Sequence, residues 1–79
     1  MIEVTVISPS EILYQGQASS VVLPGEQGVF EVLSFHKPIL SRLIPGCIMI
    51  DDQIIPIWRG VVKVASDNLT AIVETKAPK

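Results

Sequence analysis

Ile2, Val4 and Val6 alternate with Glu3 and Thr5, the period of a strand with one buried face. Pro9 stops that run just after Ser8. A second strand is predicted over Glu11 to Ala18, forming a hairpin with the first, and Gly16 inside it marks a bulge or sharp bend. Ser19 to Leu23 predicts a third strand, whose contiguous Val21, Val22 and Leu23 fit a short strand covered on both faces.

The stretch LPGEQGVFEVLSFHKPIL, residues 23–40, organises the rest. Pro24-Gly25 and Gly28 stand where a chain turns sharply, because proline fixes φ and glycine tolerates positive φ. Val29 to Leu33 then predicts a strand apolar on both sides: Val29 and Leu33 point one way, Phe30 and Val32 the other, and Glu31 interrupts them. Such a strand is either buried twice or covered by a partner.

Ile39 to Ile44 has some helical phasing, but Pro38 and Pro45-Gly46 leave too few residues for a helix, so a strand is predicted. Cys47 to Ile50 and Gln53 to Trp58 flank Asp51-Asp52, short polar residues suited to a hairpin turn, and Pro56 confines the second of these strands to an edge or a bulge. Arg59-Gly60 predicts a bend, Val61 to Ala65 a strand and Asp67-Asn68 a turn. Leu69 to Thr75 is the last strand, with Leu69, Ala71 and Val73 on one face, and 76–79 is a polar tail. The chain therefore reads as one all-β domain over 1–75, a small two-sheet β-sandwich or flattened barrel of about nine or ten short strands.

Composition adds a partner to this picture. At 79 residues folding hides only roughly 60–65% of the surface of the unfolded chain. Yet 48% of the residues are hydrophobic and the mean hydropathy is +0.49. Some apolar side chains are left over for a neighbour. The net charge of −2 and isoelectric point near 5.1 offer no field to gather nucleic acid or an anionic membrane. No apolar run approaches the roughly 20 residues that span a bilayer, and Met1 leads directly into a strand rather than a signal peptide. Direct membrane insertion is not expected, so any membrane association is through a partner.

Candidate chemistry is sparse. Cys47 and His36 are each single, and Cys47 among Ile48, Met49 and Ile50 reads as a packed thiol in a reducing compartment, not a nucleophile. Gly25-Glu26-Gln27-Gly28 is a structural turn; a phosphate-holding loop leads into a helix or carries basic residues, and this one has strands on both sides and an acid within. Asp51, Asp52, Asp67 and Glu74 lack the serial spacing of a hard-metal site. Trp58 and Arg59, adjacent on a strand, point to opposite faces and do not stack on each other. His36 beside Lys37 fits a solvent-facing loop and a contact role equally well. The residues themselves leave two classes open: a subunit of a larger assembly, or a free-standing small β-barrel that binds a peptide or ligand at an edge strand.

Pro24, Gly25, Gly28, Phe30, Val32, Leu33, His36 and Pro38 match, at fixed spacing, a segment of the epsilon subunit of F-type ATP synthases. The chain resembles the N-terminal β-sandwich domain of that family, and the likeness continues through Leu43, Pro45, Gly46, Gly60 and Asn68 to Thr75. The resemblance implies a non-catalytic rotor subunit of the central stalk, peripheral at the cytoplasmic face of the energy-transducing membrane, that binds the gamma subunit and the c-ring and couples ion flow to ATP synthesis. It implies gamma contacts at Ser8, Phe35, His36, Pro38, Ile39 and Leu40, and c-ring contacts at Glu26, Gln27, Val29 and Glu31. Longer members append a helical hairpin that in some binds ATP; the expectation here is a chain without it, either a naturally short member or a truncated piece of a longer one, with no cofactor and no nucleotide binding. Several positions depart from the family pattern: Val29 where an acid is frequent, Glu31 in place of Gly, Ser34 and Phe35 where Pro and Gly are common, and Trp58-Arg59 before Gly60 in place of small residues.

Overall fold

A computed structural model describes residues 1–77. Pro78 and Lys79 of the predicted tail lie outside the described residues. The described residues form nine strands and no helix: β1 (Ile2–Ile7), β2 (Ile12–Ala18), β3 (Val21–Gly25), β4 (Gly28–Val32), β5 (Ile39–Leu43), β6 (Gly46–Ile50), β7 (Gln53–Ile57), β8 (Arg59–Ala65) and β9 (Asn68–Glu74).

Hydrogen bonding divides them into two layers. One runs β2-β1-β9-β8-β5 and the other β4-β3-β6-β7. They are joined at one corner, where Gly25 of β3 pairs with Leu43 of β5. There Glu26 N donates to Arg42 O (3.0 Å) and Ile44 N to Pro24 O (2.9 Å). This is the flattened barrel expected. Its first and last strands, β1 and β9, are neighbours and run parallel, a long-range pairing that no local signal in either strand announces.

The core is the set of inward phases of these strands. Ile2, Val4 and Val6 of β1, Val62 and Val64 of β8, and Leu69, Ala71 and Val73 of β9 fill one side. Val21, Leu23, Val32, Ile48, Ile50 and Ile57 fill the other, with Phe30, Ile39 and Ile55 closing its rim. Each full burial of such an aliphatic side chain contributes on the order of 2 kcal/mol. No polar side chain is buried among the described residues, so the stability of the sandwich comes from apolar packing and strand pairing.

Four local readings are corrected. Pro24 and Gly25 belong to β3, and the reversal is made by Glu26 and Gln27. Gly25 is required because Phe30 lies against it: a Cβ there would stand 2.7 Å from the ring. The bulge of β2 falls at Leu13, since Val6 pairs with Tyr14 and Ile7 with Ile12; Gly16 keeps its partner Val4. The bend predicted at Arg59-Gly60 sits at Trp58. Cys47 is exposed, not packed, because alternation along β6 turns Ile48 and Ile50 inward and Cys47 and Met49 outward. Pro56 does lie on an edge strand, as its missing N–H requires.

Candidate partner-binding surface

The sandwich has two ends. At one lie the 8–11 turn, the Glu26-Gln27 turn, residues 44–46 and the Trp58 bend; at the other lie the 33–38 connection, Asp51-Asp52 and Ser66-Asp67. The residues singled out from sequence distribute unevenly over this frame. Glu26 and Gln27 form the tip of the β3–β4 hairpin, and Val29 and Glu31 are the outward phase of β4 just above it. All four are exposed. They make one contiguous patch, and Gly28, with φ of 129°, supplies the backbone that lets the tip turn.

The other set is split. Phe35, His36 and Pro38 sit at the far end, and β5 carries Ile39 half-buried toward the core and Leu40 outward, 77% exposed. Ser8 follows β1 directly at the near end, roughly 20 Å away along a six-residue strand. Its hydroxyl accepts from Glu11 N (3.2 Å) while its own N–H donates to Glu11 O (2.9 Å), closing the turn around Pro9. One partner can reach both Ser8 and Leu40 only by lying along the outer face of the five-stranded layer.

That face has an apolar row which the sequence reading missed. Ile7, Ile72 and Val61 stand side by side in register across β1, β9 and β8, and the charged Arg42 of β5 ends the row, with Ile7 half-buried, Ile72 50% and Val61 44% exposed. The signal was present: Ile72 occupies a solvent phase between Thr70 and Glu74, and Val61 extends the buried Val62 by one residue onto the wrong face for a core. Beside the row, Arg59 Nε donates to Glu74 Oε2 at 3.1 Å. Both side chains are largely solvated, so this pair contributes at most about 1 kcal/mol. The outer face of the four-stranded layer is also apolar, with Val22, Met49 and Ile54 aligned beside Glu31.

Backbone at the far end is held by a side chain. Phe35 has φ of 66° and is 91% exposed. Its N–H donates to Asp67 Oδ1 at 2.7 Å, and His36 N donates to Leu33 O at 3.2 Å, completing a turn. The His36 ring is oriented by Nδ1, which donates to Lys37 O at 2.7 Å.

Between the β4 edge and β5 lies a groove of about 530 Å³ lined by Glu26, Gln27, Val29, Phe30, Ile39 and Leu40 among others. It brings together the hairpin tip and the start of β5, sets that the sequence reading assigned to different partners. Among the described residues no three His, Cys, Asp or Glu side chains converge where a metal ion could be held, and no helix is long and apolar enough to cross a membrane.

Comparisons with known proteins agree with this geometry. The chain is 36% identical to the ATP synthase epsilon chain of a Nitratiruptor species over 98% of its own length and 64% of the relative's. It is 32% identical to the epsilon chain of Parvibaculum lavamentivorans over 91% of its length and 58% of the relative's. It thus spans about three-fifths of the curated relatives it matches. Its fold superposes with a TM-score of 0.81 on a chain of the Tetrahymena thermophila mitochondrial ATP synthase central stalk and c-ring, at 17% identity, covering 92% of this chain and 63% of that one. A chain of the Euglena gracilis mitochondrial ATP synthase gives 0.82 at 18% identity, covering 91% and 49%. Residues 1–79 match the family model described as ATP synthase, Delta/Epsilon chain, beta-sandwich domain, and with the two-layer fold this shows that the chain belongs to that family.

Proposed function

We propose that this domain is a non-catalytic rotor element of an F-type ATP synthase. It seats the Glu26, Gln27, Val29 and Glu31 patch on the c-ring and lays the outer face of its five-stranded layer against the gamma subunit. The reading places it peripherally, on the cytoplasmic face of the energy-transducing membrane. No bond is made or broken by it; a cross-braced sandwich transmits torque because two packed sheets resist shear better than a loop or a lone helix. One observation carries the reading. Half-buried Ile7 and exposed Ile72 and Val61 form an apolar row in register that runs from beside Ser8 to Arg42 on β5, two residues from Leu40, which gives a single partner a reason to span both.

Co-purification tests this directly. The chain is expected to retain the gamma subunit of its own complex, and Ile72→Glu, a surface change that leaves the core intact, is expected to weaken retention at least tenfold, since burying an unpaired carboxylate in an interface is strongly unfavourable. Unchanged retention with Ile72→Glu would remove this face from the interface. A second reading, peptide capture at the free edge of β4, is motivated by the groove beside Phe30 and Ile39. Retention of an extended peptide instead of gamma would favour it.

A further inference from the structure

We propose that Phe35 is the anchor side chain of the gamma contact and that Asp67 is the positioning residue that holds it ready; this rests on the gamma reading above. Left-handed backbone is easy for glycine and unfavourable for an aromatic residue, whose Cβ crowds the following carbonyl. Phe35 nevertheless adopts φ of 66°, and its ring, 91% exposed, gains little from this chain in return. A strained conformation persists only where the surroundings impose it. Here Asp67, itself in a left-handed hairpin turn, grips the Phe35 N–H at 2.7 Å, and the Leu33–His36 turn hydrogen bond fixes the other side.

The consequence is a large apolar ring projected from a backbone that is already ordered, so binding loses little conformational freedom on docking. Aromatic anchors of this kind concentrate binding energy. The neighbouring surface defines the partner. Next to this turn, Pro38, Leu40, Lys63 and Ala65 line a shallow hollow of about 400 Å³, and Lys37 and Lys63 are both exposed. The matching surface on gamma is apolar with an acid at its rim: a socket between neighbouring side chains takes the Phe35 ring, an adjacent apolar side chain fills the hollow, and an acidic residue faces Lys37 or Lys63.

Affinity for the purified gamma subunit, measured by calorimetry, tests this with four variants. Phe35→Gly and Phe35→Ala are both expected to weaken binding tenfold or more, although the first relaxes the backbone and the second does not. Phe35→Trp is expected to stay within about threefold of the parent. Asp67→Gly is expected to weaken binding about threefold when Phe35 is present and not at all in the Phe35→Gly background; a purely structural role for Asp67 would weaken both equally. If the parent chain binds gamma and Phe35→Gly binds as tightly, the anchor proposal is overturned and the gamma reading stands. If the parent chain fails to bind gamma, both are overturned.

Discussion

Two aspartates at the same end of the sandwich do similar work under different conditions. Asp51 in the β6–β7 turn and Asp67 in the β8–β9 turn both adopt left-handed backbone, with φ of 51° and 57°. Both reach across to a distant connection. Asp51 Oδ1 accepts from Ser19 N at 3.0 Å and Ser20 N at 3.1 Å, tying the β2–β3 connection to the hairpin. The Asp67 carboxylate accepts one N–H, that of Phe35, while its backbone carbonyl accepts from Glu3 N. A short polar side chain tolerates left-handed φ, so the Asp51 brace is architecture complete in itself. The Asp67 brace instead supports a strained aromatic that buries almost nothing here. The difference separates strain that the fold itself uses from strain that the isolated domain does not use, which the anchor proposal assigns to a partner.

The contrast can be broken by removing the braces in turn. Asp51→Gly keeps the turn conformation accessible and deletes an acceptor shared by two N–H groups. A stability loss of about 2 kcal/mol is expected in urea unfolding, since hydrogen bonds to a charged group contribute on the order of 1–2 kcal/mol each and this one is partly solvated. A loss below about 0.5 kcal/mol would show that the connection does not depend on Asp51. Asp67→Gly removes one acceptor, and about 1 kcal/mol is expected to go by the same measurement. Should it equal or exceed the Asp51→Gly loss, the two braces are not graded by the bonds they make.

Phe35→Gly sharpens the comparison from the other side, with the smallest effect and the opposite sign. Relief of left-handed strain, roughly 1–2 kcal/mol, is offset by the greater unfolded-state freedom of glycine, roughly 0.5–1 kcal/mol. A net gain of about 0.5 kcal/mol is expected, read as a rise in Tm of a few degrees for a domain this small. A clear loss would mean that the ring contributes to the isolated fold.

Much of this architecture was legible along the chain because strand alternation is a local signal. Ile2, Val4 and Val6, or Leu69, Ala71 and Val73, announce both a strand and its buried face. Pro56 announced an edge. Where apolar residues run together the local signal is ambiguous. Val29 and Phe30 are equally greasy neighbours, yet Val29 is 73% exposed and Phe30 packs against the core rim. Cys47 was misplaced for the same reason, as residues flanking it on β6 point to the opposite face. The candidate contacts fared likewise: the Glu26 to Glu31 patch is local to one hairpin and stayed together, whereas Ser8 and His36 came to lie at opposite ends.

From residue order alone one could know that the chain makes short strands, where most of them turn, and that it carries more apolar surface than so small a domain can cover. These follow from the pleat, from proline and glycine geometry and from surface-to-volume scaling, none of which requires knowing what lies across the sheet. Folding in three dimensions settled the rest: that β1 and β9 pair in parallel, that Ile7, Ile72 and Val61 share a row, and that Asp67 reaches Phe35. Each of these joins residues far apart in the chain, and register between distant strands is chosen by the packing of the whole core, which no short window of sequence contains.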